Sequence, residues 1–251
     1  MLAPLNNLLY QTLLFFYQLF GGNLGLSIIV VTLITKLILL PLVLPSIRSA
    51  KKMQDLKPEL DSLKRKYKDP AQFQQAQLAL YKERQINPAS GCLPQIVQII
   101  IVIALYNVFI QFLKQPIING TALNPYFLFL DLTKPDRSFL MPVLAGLSQL
   151  IYSLMMQSGV ESHVKNPKKQ ADKQKEENSL EMAASMQQQM VYMMPLMTTI
   201  VSLNFQSGLV LYWVVSTLFS IVQQYFFSGW GGLIPVYNRL RSFLVRHSAT
   251  K

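Results

Sequence analysis

One lysine stands alone in a long uncharged stretch. Lys36 is the single charged residue between Asn23 and Arg48. A cation at the centre of a membrane helix costs about 2.5–3.5 kcal/mol on insertion scales. The other apolar stretches contain no acid that could pair with it inside a bilayer. Two solutions remain. Lys36 can snorkel towards the headgroups, or it can face a water-filled cavity within a helix bundle. At 1.5 Å per residue it lies about 13 Å from the end of its apolar stretch, beyond the reach of a lysine side chain. The cavity is therefore the better reading. Thr32 precedes Lys36 by one helical turn, on the same face. Gln95 and Gln98, and farther on Trp213, Ser216 and Ser220, recur at helical spacing within other apolar stretches. Each alone reads as an interhelical hydrogen bond. Together with Lys36 they outline a polar cavity holding positive potential, which suits an anionic guest. No catalytic set accompanies it. Cys92 is the only cysteine, and His163 and His247 are scattered in polar segments. No metal-ligand cluster, Cys/His pair or Gly-rich phosphate loop is visible. The expectation is a protein without enzymatic activity, metal or cofactor.

The elements that must position these residues are membrane helices. The chain has 251 residues, 51% hydrophobic and only 14% charged, against about 25% charged in soluble domains. Five apolar stretches have the length of roughly 20 residues that spans a hydrocarbon core of about 30 Å. The predicted fold is an all-α membrane protein with five transmembrane helices, an N-terminal interfacial helix and a cytoplasmic helical hairpin. The first span occupies 24–45, with Pro41 and Pro45 marking its end. The others lie near 93–113, 138–157, 187–203 and 209–228, so 93–228 holds spans two to five. Residues 158–186, highly charged and balanced in sign, read as a flexible loop. Residues 229–251 form a basic tail. Of the 23 Lys and Arg residues, 19 fall in 46–92, 158–186 and 229–251. The positive-inside rule makes these segments cytoplasmic. The N-terminus is then outside and the C-terminus inside. Topology thus accounts for the net charge of +11, and no specific nucleic-acid partner is implied.

Residues 1–23 carry no charge, and Leu5, Leu8, Leu9, Leu13 and Phe16 recur at helical spacing. This suits an amphipathic helix in the interface or an ordinary packing helix. Within 46–92, Met53, Leu56, Leu60, Leu63 and Tyr67 form a coiled-coil seam. Asp69-Pro70 then starts a second helix with Phe73, Ala76 and Leu80 on its apolar face, ending near Asn87-Pro88. The hairpin so formed is either a structural cap or a mobile docking arm. Methionines 182, 186, 190, 193, 194 and 197 cluster about the fourth span, where membrane packing explains them better than an adaptable client surface.

Several long motifs occur in an order that resembles one family. They are Thr32-Leu33-Ile34-Thr35-Lys36-Leu37-Ile38-Leu39-Leu40-Pro41-Leu42, then Asn87-Pro88-Ala89-Ser90-Gly91-Cys92-Leu93-Pro94 with Gln98 and Ala104-Leu105-Tyr106. Asp131-Leu132-Thr133, Pro135-Asp136 and Leu140-Met141-Pro142-Val143-Leu144 follow. Met193-Met194-Pro195, Gly208-Leu209-Val210-Leu211-Tyr212-Trp213, Ser216 and Gln223-Gln224 complete the series. Over nearly its whole length the chain resembles the YidC/Oxa/Alb membrane protein insertases, in their short bacterial form. The resemblance implies an insertase and chaperone of a bacterial cytoplasmic (inner) membrane. Its five-helix core would enclose a hydrophilic groove open to the cytoplasm and to lipid. Lys36 takes the place of the family's groove cation, usually an Arg. Thr32, Tyr212 and Trp213 match client-contacting positions, and Gln98 matches another polar groove position. The implied partners are nascent membrane proteins and the lipid bilayer, with the ribosome and the Sec translocon as candidates and no small-molecule substrate. The alternative is a small anion transporter or channel using Lys36 as its binding site, although no inverted repeat is visible. A third reading is a structural assembly subunit with an inert groove.

Overall fold

A computed structural model describes residues 3–67, 69–86, 93–114, 117–118, 121–156, 192–231 and 233. Cys92, Asn87-Pro88, the loop 158–186 with His163, Met182 and Met186, Met190 in the expected fourth span, and nearly all of the basic tail with His247 lie outside them. The described chain is mostly helical. Helix α1 spans Ala3–Leu19 and buries Leu9, Tyr10, Leu13 and Tyr17. That stripe packs on two later helices, Leu24–Asp55 (α2) and Leu93–Leu113 (α5), while Leu8, expected on the apolar face, is exposed. Gly21 and Gly22 end the helix with φ of 61° and 85°. These left-handed values suit glycine, and the Gly22 amide donates to Tyr17 O at 2.8 Å. Asn23 then caps α2, its side chain accepting from the Leu26 amide at 3.0 Å.

Helix α2 runs unbroken from Leu24 to Asp55, 32 residues, and so continues through Pro41 and Pro45, the residues that mark the expected end of the first span. Each proline removes one amide donor, but the helix continues because Ser46, Ile47, Ala50 and Met53 are buried beyond them. Thirty-two residues make about 48 Å. The helix is therefore longer than a hydrocarbon core of about 30 Å, and its last third is polar. Leu56 breaks the helix, and α3 (Lys57–Lys66) starts with Pro58 in its first turn. Helix α4 spans Pro70–Glu83. Met53, Leu56, Leu60, Leu80, Tyr81 and Ile86 form one buried cluster, with Leu63 packed against it. The seam predicted from the sequence is thus present, but its first member belongs to α2. Phe73 is also buried, whereas Tyr67 is a half-buried cap residue. Arg84 pairs with Glu59 across α3 and α4 at 3.0 Å.

Helix α5 (Leu93–Leu113) is uncharged and largely apolar, interrupted by Gln95, Gln98, Asn107 and Gln111. Between it and α6 (Leu140–Met156) the all-α expectation fails. Four two-residue strands form two antiparallel pairs, β1 (Ile117–Ile118) with β2 (Thr121–Ala122) and β3 (Tyr126–Phe127) with β4 (Leu130–Asp131). Their reason is local: Leu130 and Phe127 turn into the bundle, and pairing satisfies the backbone they carry with them. Helix α7 covers 192–202, and α8 runs Ser207–Ser228. Helices α6 and α7 cross closely at Gly146, where any Cβ would strike the Thr199 hydroxyl. Helices α2, α5 and α8 are long and apolar enough to cross a membrane, and α6 is a shorter apolar helix. Their outward residues, such as Ile38, Ile99, Ile103, Leu147 and Val222, are exposed and apolar. A continuous apolar exterior of this kind fits lipid rather than water.

Candidate functional site: a polar cleft around Lys36

Three helices meet at Lys36. Its ammonium donates to Gln98 Oε1 at 3.2 Å, from α5, and to Ser220 Oγ at 3.1 Å, from α8. Gln98 Oε1 also accepts from Ser216 Oγ at 3.3 Å, and Gln98 Nε2 donates to the Tyr212 hydroxyl at 3.1 Å. The Ser220 hydroxyl itself donates to Ser216 O at 3.0 Å. The carboxamide thus sits at the centre of the network, using its oxygen for the cation and its nitrogen for the phenol. Both partners of Lys36 are neutral, so the network solvates the charge without cancelling it. An ammonium has three donors, and among the described residues these two bonds leave one for a further acceptor.

Lys36 lines a small open cleft with a cavity volume of about 40 Å³. Helices α2, α5, α6 and α8 form its walls. The polar lining is Lys36, Gln98, Tyr152, Ser220 and Gln223, and Leu39, Val43 and Ile47 continue it along α2. From Lys36 to Ile47 the cleft follows α2 for about 16 Å, in the direction of the paired helices α3 and α4. Along the same part of α8, Gln223 Nε2, both amide atoms of Gln224 and Ser228 Oγ are buried with no hydrogen-bond partner among the described residues. Buried polar atoms of this kind call for water.

The predicted site residues divide into two groups. Lys36, Gln98 and Tyr212 are brought together by hydrogen bonds, with Ser216 and Ser220 completing the network. Thr32 is almost fully buried, and its hydroxyl donates to Ile28 O in its own helix at 2.6 Å. Trp213 is half-buried on α8. Neither Thr32, Trp213 nor Gln95 lines the cleft, which lies on the other side of Lys36. Tyr152 and Gln223 had not been singled out as cleft residues. Gln223 follows Ser220 by three residues on the same helical face and was within reach of that argument. Tyr152 comes from a helix with no other signal.

The opposite end of the bundle is closed. The amide and hydroxyl of Ser207 both donate to Lys134 O, at 2.8 and 2.7 Å, and the Gly208 amide donates to Leu132 O at 3.0 Å. A Cβ on Gly208 would collide with the Phe109 ring. Asp136 accepts from the Ser138 amide and hydroxyl at 2.8 and 2.6 Å and from the Met141 amide at 2.8 Å. It thereby caps α6. Burial would raise its carboxyl pKa, but these hydrogen bonds outweigh burial and hold it below the usual carboxylate range.

Comparison with known proteins gives the architecture its relatives. The family model described as 60Kd inner membrane protein matches residues 15–230. The chain is 35% identical over 224 residues to the membrane protein insertase YidC of Fusobacterium nucleatum, covering 88% of this chain and 95% of that one. It is 37% identical to the YidC of Clostridium perfringens, covering 83% and 81%. It is 34% identical to the membrane protein insertase MisCA of Bacillus subtilis, covering 84% and 73%. Among solved structures it resembles a crystal structure of an active YidC insertase with its first transmembrane domain resolved. The TM-score is 0.61 at 27% identity, over 88% of this chain. The chain spans about half the length of that structure's chain, 46%. The chain belongs to the 60Kd inner membrane protein family, the family of the YidC membrane protein insertases.

Proposed function

We propose that this chain is a membrane protein insertase and chaperone, and that the cleft at Lys36 is where it receives the polar tail of a client. The observation that carries this reading is an intramembrane cation held by two neutral groups at the inner end of a cleft. The cleft leads towards α3 and α4. An acidic or polar tail entering there meets positive potential and hydrogen-bonding groups in place of hydrocarbon. At an effective dielectric near 20, unit charges 4 Å apart attract by about 4 kcal/mol. Water in the cleft reduces this, but part of the cost of leaving the cytosol is offset. The client's apolar span meanwhile gains by reaching lipid along α6 and α8, whose outward faces are apolar.

In this reading five helices cross the bilayer, namely α2, α5, α6, the helix containing 192–202, and α8. The N-terminus lies outside and the C-terminus in the cytoplasm of a bacterial cell. The paired helices α3 and α4 form a cytoplasmic hairpin at the cleft mouth, and α1 packs at the outer interface. Lys36 supplies the charge, and Gln98, Ser216 and Ser220 hold it in place. Tyr212 closes the network, and Thr32 and Trp213 lie on its outer side. Nascent membrane proteins and lipid are the partners, and the ribosome and the Sec translocon are candidates for joint action. The names of the relatives give no support to the anion-transporter alternative. Reconstitution into proteoliposomes tests the reading. An insertase inserts a client span, and crosslinkers on α6 and α8 capture that client during insertion. Movement of a small anion without insertion of any client would contradict it. For orientation, a cysteine at Asn124 should react with an impermeant reagent from outside intact cells and one at Ser62 should not. The reverse pattern would overturn the assigned topology.

A further inference from the structure

Two loops at the closed end break the usual residue preferences in the same way. The β3–β4 turn holds Leu128 and Phe129 between paired Phe127 and Leu130. Leu128 has φ of 57°, a left-handed value at the first central position of a two-residue hairpin, where glycine is favoured. A bulky side chain there is uncommon. It is also 79% exposed, with Phe129 66% and Tyr126 59% exposed beside it. Just before α6, Phe139 repeats the pattern, with φ of 60° and 59% exposure. The surrounding structure fixes both positions. Phe127 covers Gly25 so closely that any Cβ there would strike its ring, and Leu130 is buried in the core. Asp136, through Ser138 and Met141, holds the turn that carries Phe139. Strained backbone that persists because its surroundings over-determine it is a pointer to function.

We infer that Leu128, Phe129 and Phe139 form an anchor that seats the closed end of the bundle in the glycerol and headgroup layer of the adjoining leaflet. In water these side chains would expose a run of large apolar groups at a turn where polar residues are the rule. In the interface the same groups gain by leaving water, and Tyr126 suits the headgroup level, where tyrosine is enriched. Continuity favours lipid over a protein partner. Phe139 extends the exposed apolar face of α6, formed by Leu140, Val143, Leu144 and Leu147, past the end of the helix. Exposed Arg137 lies in the segment between the two loops, where a lipid phosphate would accept from it, while the neighbouring Lys134 is paired with Asp131 at 2.9 Å. The anchor would fix the depth of the sealed end relative to the bilayer and so the depth of Lys36 below it. This inference rests on the reading that α2, α5 and α8 cross the membrane.

Depth measurement by electron paramagnetic resonance tests it. In a Cys92→Ser background, single nitroxide labels are placed at Leu128, Phe129 and Phe139, with controls at Asn124 and Ile103. The full chain is reconstituted in vesicles of phosphatidylethanolamine with a minority of phosphatidylglycerol. Labels at the three anchor positions should favour oxygen over a water-soluble nickel complex and report a depth of about 5–10 Å, as for interfacial apolar groups. Asn124 should report water. A label at Leu128 as open to nickel as Asn124 would overturn the anchor. Labels at the anchor positions shielded from both relaxants would also overturn it, since a protein would then be covering them. Ile103 separates the underlying reading from the anchor. If it too reports water, the assignment of α5 as a span fails. If it reports the bilayer interior while Leu128 reports water, the anchor alone fails. As a second variant, Leu128→Gly with Phe129→Asn, which relieves the left-handed strain at 128, should not lower the thermal midpoint in detergent and should shift a label at Tyr126 towards water. A lowered midpoint with no change in depth would show that the turn packs against protein, against the inference.

Discussion

The two ends of the bundle treat buried polar groups in opposite ways. At the closed end the polar groups are mostly paired within the protein, Gln206 Oε1 being an exception among the described residues. Ser207 and Gly208 bond to the backbone of Lys134 and Leu132, and both carboxylate oxygens of Asp136 are filled. At the cleft a cation has only neutral partners among the described residues, and α8 carries buried amide and hydroxyl atoms with none. A satisfied polar network costs little and holds its elements rigidly, while a partly satisfied one is expensive unless water or a ligand completes it. The difference teaches which end is built for stability and which for receiving something polar.

Substitutions can break that comparison. Gly208→Val should have the largest effect on stability. The added groups collide with Phe109 and approach Leu132 O at 3.1 Å, and overpacking of this kind costs about 1–3 kcal/mol or more. A clear fall in the thermal midpoint in detergent is expected, and an unchanged midpoint would mean that the closed end is not tightly packed. Asp136→Asn should cost about 1 kcal/mol through the weakened cap. It also carries a pH signature. Because the folded-state pKa of Asp136 is depressed, its stabilisation is complete above the ordinary carboxylate value of about 3.9. It is lost as pH falls below that, through the folded value. The stability gap between parent and variant should therefore be constant near neutrality and close in acid. A gap that persisted at the acid end would point to packing instead. Arg84→Ala should do least. Arg84 and Glu59 are 49% and 44% exposed, and such a pair contributes no more than about 1 kcal/mol. Its loss should loosen α3 against α4 with little change in global unfolding. Local hydrogen exchange in residues 57–83 is the measurement, and exchange identical to the parent would mean that the buried cluster of Leu60 and Leu80 suffices.

Much of this was legible in the sequence, for reasons that differ by residue. Lys36, Gln98, Ser216 and Ser220 stood out because polar groups are rare in apolar helices, and the bundle joins these four. The seam from Met53 to Leu63 was visible as periodicity. The continuation of α2 past Pro41 and Pro45 was not, because proline reads locally as a stop while the burial of Ile47 and Met53 that overrides it is tertiary. The strands between α5 and α6 were hidden because Tyr126 to Leu130 is too short and too uniformly apolar to show a period. Thr32 and Trp213 share helical faces with cleft residues, but spacing along one helix does not say which neighbour that face meets. Tyr152 lacked any signal, since a lone tyrosine in an apolar helix looks the same in a cleft as in a core.

The central claim is that Lys36 draws a client's acidic tail into the cleft by its charge. The direct measurement is insertion of two clients, matched except for an acidic or a neutral tail, by Lys36→Arg, Lys36→Ala and Lys36→Glu at equal insertase abundance. If the screened attraction amounts to about 1.4 kcal/mol, its loss slows insertion about tenfold. Lys36→Arg should work as the parent does. Lys36→Ala should slow the acidic-tail client by about that factor, and Lys36→Glu should slow it further, while the neutral-tail client is spared in both. Equal insertion of the acidic-tail client by Lys36→Glu and the parent would contradict the account.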